Sequence, residues 1–224
     1  MIRLEKSETL QRKIRRDDLA ELGIPTWTLV RQAIQAGRTD ETLGFLEYGL
    51  AENREMDGQM CAFVDDTLTY LSSFGEEEVM KAIRHRYEPR VRDWLSSAPT
   101  LTEQIHLFAE DVRGHFGNFT VVEEPDRYVI SHDPCGTGGR LWRTKSVGMT
   151  KKAYPWSWSR SGVPYYCTHC CVMEIVVIEQ RGYPIVVTSP PEKPEDPCVV
   201  LFYKKPELIP EEYFTRIGMT KTIK

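Results

Sequence analysis

The stretch that decides the fold is FTVVEEPDRYVISH, residues 119–132. Two short runs of β-branched and aromatic residues flank Glu124-Pro125-Asp126, a combination that favours a turn between two antiparallel strands. Upstream of Gly117, apolar residues recur every three or four positions instead, which is the spacing of amphipathic helices. This change of period predicts an α+β fold, with a helical N-terminal half packed on a small, mostly antiparallel sheet.

The helical half carries recognisable start and stop signals. Thr100 and Glu103 form a capping-box pattern before a helix that Gly117 ends. Gly58 and Pro89 are expected to interrupt or kink the longer helical runs. We predict helices over residues 7–22, 26–36, 39–74 with a break at 57–58, 76–95 with a kink at 89, and 100–116.

The C-terminal half is mixed. A loop rich in Gly, Trp, Ser and Lys covers residues 133–164, and YYCTHCCVMEIVVIEQRG then allows a helix ended by Gly182, or a strand. YPIVVTS and CVVLFYK have the composition of strands. We divide the chain into a helical region, 1–117, and a Cys/His-rich α+β region, 118–224, within one compact domain.

Composition restricts the class of protein. The formal net charge of -4 argues against a general nucleic-acid binder, which usually carries a basic excess. The chain has no apolar run of the roughly 18–20 residues that a membrane span needs, and its N-terminus lacks the apolar segment of a secretory signal. We expect a cytoplasmic protein with a small-molecule partner, neither nucleic acid nor membrane, and a possible homo-oligomer. Thiols stay reduced in that compartment, so the six cysteines are expected to be ligands, nucleophiles or core residues.

Five of the six cysteines and two of the five histidines lie downstream of residue 131. Only Cys61 lies in the helical half. The group downstream of residue 131 consists of His132, Cys135, Cys167, His169, Cys170, Cys171 and Cys198. Thiolate and imidazole are the usual ligands of zinc, so this clustering indicates a metal site.

The first chemical element is SHDPCGTGGRLWR, residues 131–143. Its glycines allow the backbone to approach a ligand closely, and Arg140 and Arg143 are candidates to bind a carboxylate or phosphate. Asp133 is a candidate to orient a histidine or a water molecule beside the metal. The alternative is a surface turn with charged ends.

The second element is a Cys-x-x-Cys pair, Cys167 and Cys170, with His169 inside it. A thioredoxin-like redox role would need a preceding strand, whereas a loop precedes this pair, so we favour metal binding. In a helix, Cys170 and Glu174 would share a face one turn apart, as a metal ligand and a general base do. Cys171 adjoins an apolar run and alternatively packs in the core.

Two metal models follow. In the catalytic model, Cys135, His169 and Cys170 hold zinc, or iron, and leave a position open for water or substrate. In the structural model, four thiolates close the site, and its ligands are Cys135, Cys167, Cys170 and Cys198. Nearby aromatic residues, including Trp158 and Tyr166, have the composition of a pocket wall and favour the open site.

Residues 130–204 contain a Cys-bearing loop, the Cys/His cluster at 167–171 and a strand with Cys198. This pattern resembles the L-2-amino-thiazoline-4-carboxylic acid hydrolase family. The resemblance implies hydrolytic opening of a small ring acid that contains sulfur and nitrogen. The doubled Cys170-Cys171 and the DPCGTGGR loop depart from the family pattern, and no catalytic residue is carried over.

The sequence therefore predicts a metal-dependent hydrolase or lyase that acts on a small anionic, possibly sulfur-containing, acid, with Glu174 moving the proton. One alternative is a metal-free enzyme with Cys135 or Cys167 as nucleophile and His169 as base. The other is a non-catalytic ligand-binding or interaction domain with a structural zinc.

Overall fold

The computed structural model describes residues 4–9, 11–15, 18–19 and 21–223. The chain divides into two units, residues 1–57 and 58–224. The change of sequence pattern at residue 117 lies inside the second unit. Strands of the described residues fall mostly in the C-terminal half, and the α+β class expected from the sequence is confirmed.

The first unit begins with an antiparallel hairpin of β1 (Leu4–Ser7) and β2 (Arg12–Arg15), in which Leu4 lies opposite Arg15. The helix predicted over residues 7–22 is therefore wrong where the chain is described; residues 10, 16, 17 and 20 lie outside the described part. Ser and Thr side chains that cap helices also form turns, and Gln11 adopts a left-handed φ of 52° in this one.

Helix α1 (Thr26–Gln35) agrees with the predicted helix over 26–36. Helix α2 covers Thr39–Ser72 as one element, so the break predicted at residues 57–58 is wrong. A glycine inside a helix costs only about 1 kcal/mol, which the packing of a long amphipathic helix outweighs. The first unit's buried core consists of Leu29, Val30, Ala33 and Phe45.

In the second unit, α3 (Glu76–Ser97) continues through Pro89, so this proline does not split the helix. Helix α4 (Leu101–Gly114) begins with the predicted capping box, in which the Thr100 hydroxyl accepts from the Glu103 N–H and the Glu103 carboxylate accepts from the Thr100 N–H. These two bonds satisfy backbone donors at the helix start that would otherwise lack partners.

A four-stranded antiparallel sheet forms the other layer of the second unit. Its order is β3-β4-β6-β5, and the strands are β3 (Phe119–Glu123), β4 (Arg127–His132), β5 (Val187–Ser189) and β6 (Cys198–Tyr203). The turn predicted at residues 124–126 joins β3 to β4. Ile130, at the centre of β4, is fully buried opposite Val200 of β6.

Helix α6 (Thr168–Arg181) lies in the core of this unit and ends at Gly182, whose left-handed φ of 86° suits a glycine cap. Two apolar clusters flank it. The first joins α6 to α3, α4 and the sheet, with the Phe108 and Phe202 rings 5.4 Å apart. The second joins α6 to the C-terminal segment that contains α7 (Glu212–Thr215).

Within the 133–164 segment predicted as loop, a short helix, α5 (Gly138–Thr144), and a 3₁₀ turn, Pro155–Ser157, are present. The two glycines that open α5 disfavour a helix on propensity alone, which accounts for the difference. Among the helices of the described residues, none is long and apolar enough to cross a membrane.

Candidate metal centre

The pairing of β4 with β6 positions the first residues of the candidate site. His132, the last residue of β4, lies opposite Cys198, the first residue of β6. The chain then turns at Asp133-Pro134 and reaches Cys135, whose carbonyl accepts the Arg140 backbone N–H at 3.0 Å. This turn places Cys135 at the start of α5, near the strand end that carries Cys198.

Two glycines at the start of α5 separate two sulfur atoms. A Cβ on Gly138 would lie 2.7 Å from the Sγ of Cys167, and a Cβ on Gly139 would lie 3.2 Å from the Sγ of Cys135. The Gly139 N–H also donates to the Cys135 Sγ at 3.0 Å. Cys135 and Cys167 therefore contact the same dipeptide, and any larger side chain at Gly138 would displace a thiol.

Cys170 and His169 lie in the first turn of α6, just after Cys167. The His169 Nδ1 is 2.6 Å from the carbonyl oxygen of Tyr166, and the Nε2 is 3.4 Å from the Cys170 Sγ. A carbonyl can only accept, so Nδ1 carries the hydrogen and Nε2 presents its lone pair toward Cys170. The ring also stacks on Tyr87, with centroids 5.1 Å apart.

The four thiols of Cys135, Cys167, Cys170 and Cys198 lie within one another's electrostatic field. Burial, and then the charges of the other three thiols, raise the pKa of Cys167 well above its usual range. Burial is also the main cause of the raised pKa of Cys198, and Cys135 and Cys170 act in the same direction. Burial likewise raises the pKa of Cys170.

The raised pKa values distinguish a metal-ligand role of these cysteines from a metal-free nucleophile role. A thiol with a raised pKa is a poor nucleophile, because the thiolate is the reactive form. Metal binding removes the proton and stabilises the anion. The surroundings of Cys167 therefore favour a ligand over a metal-free nucleophile.

Cys171 points elsewhere. Its side chain is fully buried, its Sγ accepts the Trp158 backbone N–H at 3.3 Å, and its thiol donates to the Pro155 carbonyl at 3.3 Å. It packs in the second apolar cluster. The structure therefore gives Cys171 a core position, the alternative that its apolar neighbours suggested.

Glu174 occupies a buried ion pair. One carboxylate oxygen accepts from the Thr188 N–H at 2.7 Å and the Trp158 Nε1–H at 3.2 Å, and the other lies 2.9 Å from the Arg216 guanidinium. Burial raises the pKa of this carboxyl against the attraction of Arg216. Both oxygens of this buried carboxylate therefore have protein partners, and the proton-transfer role predicted for Glu174 stays a prediction.

Asp133 and Arg143, predicted to act on the metal surroundings and the substrate, bind each other. The Arg143 guanidinium lies 2.5 Å from the Asp133 carboxylate and donates to the carbonyls of Pro194 at 2.6 Å and Glu195 at 3.0 Å. These bonds fix the loop before β6 against the turn after β4. The roles predicted for Asp133 beside a metal and for Arg143 on the substrate stay predictions.

The two aromatic residues predicted to line a pocket, Trp158 and Tyr166, lie in different surroundings. Trp158 is buried in the second cluster, and its ring N–H donates to the Glu174 carboxylate. Tyr166 remains beside the thiols. Its ring meets that of His169 edge-on with centroids 5.4 Å apart, and its hydroxyl lies 3.8 Å from the Cys61 Sγ.

Two further potential ligands are His132 and Cys61. His132 is buried between the rings of Phe108 and Phe119, and burial lowers its pKa to about 4, so it is neutral at pH 7. The Cys61 Sγ and a His115 ring nitrogen lie within 4.8 Å of each other, which sequence reasoning missed. Only the position of Asp57, four residues before Cys61 on one helix, hinted at a donor pair.

The comparisons add no assignment. Searches of this chain against protein-family models, curated proteins and solved structures gave no match.

Proposed function

We propose that this protein is a metal-dependent enzyme, a hydrolase or lyase that acts on a small anionic acid through a Cys/His metal centre. The observation that supports it is the placement of thiols from three separate segments. The Cys135 and Cys167 Sγ atoms lie beside the adjacent glycines Gly139 and Gly138, and Cys198 lies opposite His132, three residues before Cys135. The donor groups are Cys135 in the turn before α5, Cys167, His169 and Cys170 at the start of α6, and Cys198 at the start of β6.

The orientation of His169 supports the same proposal. Metal-ligating histidines usually donate their second ring N–H to a carbonyl or carboxylate, which fixes the ring and its tautomer. Tyr166 supplies that carbonyl and Tyr87 stacks on the ring. The 3.4 Å separation of Nε2 and the Cys170 Sγ is compatible with two ligands of one ion and with a hydrogen bond.

The metal would be zinc or iron, which thiolate and imidazole both suit. It would supply a Lewis acid or a hydroxide near neutral pH. The Arg140 backbone N–H donates to the Cys135 carbonyl, which places this arginine, one of the two predicted to bind the substrate, beside the proposed centre. A reducing, cytoplasmic location is part of the proposal, since all six cysteines are free thiols.

Metal analysis of purified protein tests the proposal. We expect the wild type to retain metal through gel filtration, Cys170→Ser to lose it, and Cys171→Ser to keep it, because Cys171, unlike Cys170, is fully buried in the core. Circular dichroism shows whether each variant is folded. A wild type without metal after both aerobic and anaerobic purification would overturn the proposal, as would full metal in Cys170→Ser.

A non-catalytic domain with a structural metal is the second candidate. It is favoured by one observation, the engagement of Asp133, Arg143 and Glu174 with protein partners. Removal of the metal by a chelator separates the two. A structural site unfolds when stripped, whereas a catalytic site leaves a folded apo-protein.

A further inference from the structure

The part of α2 that belongs to the second unit has a buried face and an exposed face. Cys61, Asp65 and Leu68 are buried, and Leu68 packs in the first apolar cluster. The exposed face of such a helix is normally polar or charged. Here it is apolar, and its residues, between 39% and 66% exposed, are Met60, Phe63, Val64, Tyr70 and, in the turn after the helix, Phe74. We call these five residues and the exposed Thr67 the α2 stripe.

The spacing of apolar residues is symmetric about Thr67. They lie three, four and seven positions before it, and again three, four and seven positions after it. They are Val64, Phe63 and Met60 on one side and Tyr70, the partly buried Leu71 and Phe74 on the other. These offsets share one face of a helix. Phe74 lies just beyond the end of α2, and its ring meets that of Tyr70 edge-on with centroids 5.1 Å apart, which keeps it beside the stripe.

Polar groups on this face already have partners within the chain. The Thr67 hydroxyl donates to the Phe63 carbonyl at 2.7 Å, so covering this residue leaves no hydroxyl without a hydrogen bond. The charged residues of the segment 58–74 are Asp65 and Asp66, whose carboxylates lie 3.7 Å and 2.8 Å from the Lys145 ammonium. Burial of the α2 stripe therefore does not require an unpaired charge to leave water.

The exposed area of the α2 stripe is large enough for a small dimer interface. An aromatic side chain has about 150–250 Å² of surface, and Phe63, Tyr70 and Phe74 are each 66% exposed. With Met60 and Val64, the stripe offers about 500 Å² per copy, in the upper part of the range for the largest apolar patch of a monomer. Two copies would bury about 1,000 Å² between them, the size at which specific interfaces begin. An interface of this size predicts a reversible dimer whose population rises with concentration.

We propose that the α2 stripe is the contact surface of a symmetric, antiparallel homodimer with Thr67 on the two-fold axis. A two-fold interface uses the same surface on both copies, and residues at equal distances on the two sides of the axis meet. Met60 then lies against the partner's Phe74, and Val64 lies against the partner's Tyr70. A second copy is the occupant because the pattern is complementary to itself. The proposal is independent of the proposed function, since the stripe contains no ligand of the metal centre.

Sedimentation velocity of the full chain over a wide range of concentration tests the association. We expect the mass to rise toward twice the 25.9 kDa of one chain. Tyr70→Glu should weaken the dimer by about 100-fold or more, because a symmetric interface would bury two unpaired carboxylates. Leu107→Glu is the matched control, since Leu107 is 41% exposed on α4, outside the stripe, and should dimerise as the wild type does.

Disulfide trapping tests the position of the axis. Under mild oxidation Thr67→Cys should form a disulfide-linked dimer, because the two new thiols face each other across the axis. Met60→Cys should not, since its two copies would lie about 20 Å apart along the antiparallel helices. The wild type, oxidised in the same way, gives the background from the native cysteines.

Three outcomes would overturn the proposal. They are a wild type that stays monomeric at every concentration, a folded Tyr70→Glu variant that dimerises like the wild type, and a folded Leu107→Glu variant that does not dimerise. Cross-linking of Met60→Cys to the same extent as Thr67→Cys would overturn the antiparallel arrangement. Circular dichroism shows whether each variant is folded, and Phe63→Glu replaces Tyr70→Glu if the latter is not.

Discussion

Replacing Gly138 with alanine tests the packing of the proposed metal centre most specifically. The new Cβ would lie 2.7 Å from the Cys167 Sγ and 3.2 Å from the Tyr166 Cδ1. Gly138 does not have a left-handed φ, so alanine can adopt its backbone conformation and the effect is steric. Heavy atoms in contact rest about 3.5–4.0 Å apart, so the sulfur must move by about 1 Å.

That displacement is large compared with the tolerance of a metal site, where ligand distances hold to about 0.2 Å. We expect Gly138→Ala to bind metal about 10- to 100-fold more weakly, the usual effect of disturbing the surroundings of a ligand. Overpacking should also lower the free energy of unfolding by about 1–3 kcal/mol. Competition with a chromophoric chelator and urea unfolding measure the two effects.

Gly58→Ala is the matched control. Gly58 lies inside α2 with nothing within 4 Å of the added Cβ, so alanine should raise the free energy of unfolding by about 0.5–1 kcal/mol and leave metal affinity unchanged. The reasoning is refuted if Gly138→Ala matches the wild type in both affinity and stability.

Three further predictions concern the second unit. Glu174→Gln should lower the free energy of unfolding by about 3 kcal/mol because it leaves the Arg216 charge without its partner, and a double-mutant cycle with Arg216→Met that gives no coupling would contradict the ion pair. Glu76→Ala should cost about 3 kcal/mol at pH 7, since two tyrosine hydroxyls and a backbone N–H lose their acceptor. Burial acts to raise the pKa of Glu76, but these hydrogen bonds outweigh it and lower that pKa below the ordinary value of 4.5. The stabilisation by Glu76 is therefore complete above about pH 4.5 and is lost as the pH falls through the lower folded pKa. The unfolding free energies of wild type and Glu76→Ala should converge in acid, and a difference that stays constant with pH would contradict this. Thr100→Ala should cost about 1 kcal/mol in thermal unfolding, and the exposed Thr102→Ala almost nothing; equal effects would exclude the capping box as the cause.

Features set by neighbouring residues could be predicted from the sequence. The β3–β4 strand pair with its turn, the capping box of α4 and the glycine end of α6 each depend on a few adjacent positions. The N-terminal hairpin was mistaken for a helix because a short polar segment carries signals for both, and the packing of its unit decides between them.

The site could be predicted only as a set of residue types. Clustering of thiols and imidazoles along the chain indicated which residues to consider, because metal ligands are chemically restricted. Their other partners depend on tertiary contacts. Arg216 lies 42 residues after Glu174, and the Pro194 carbonyl lies 51 residues after Arg143. No local pattern predicts such pairs, so side chains assigned to chemistry by type proved to be engaged in the fold.

X-ray absorption at the edge of the metal in anaerobically purified protein tests the central claim most directly. The account predicts a first shell dominated by sulfur at about 2.3 Å, which Cys170→Ser diminishes and Cys171→Ser leaves intact. A first shell of oxygen and nitrogen alone, or a sulfur shell unchanged in Cys170→Ser, would contradict it.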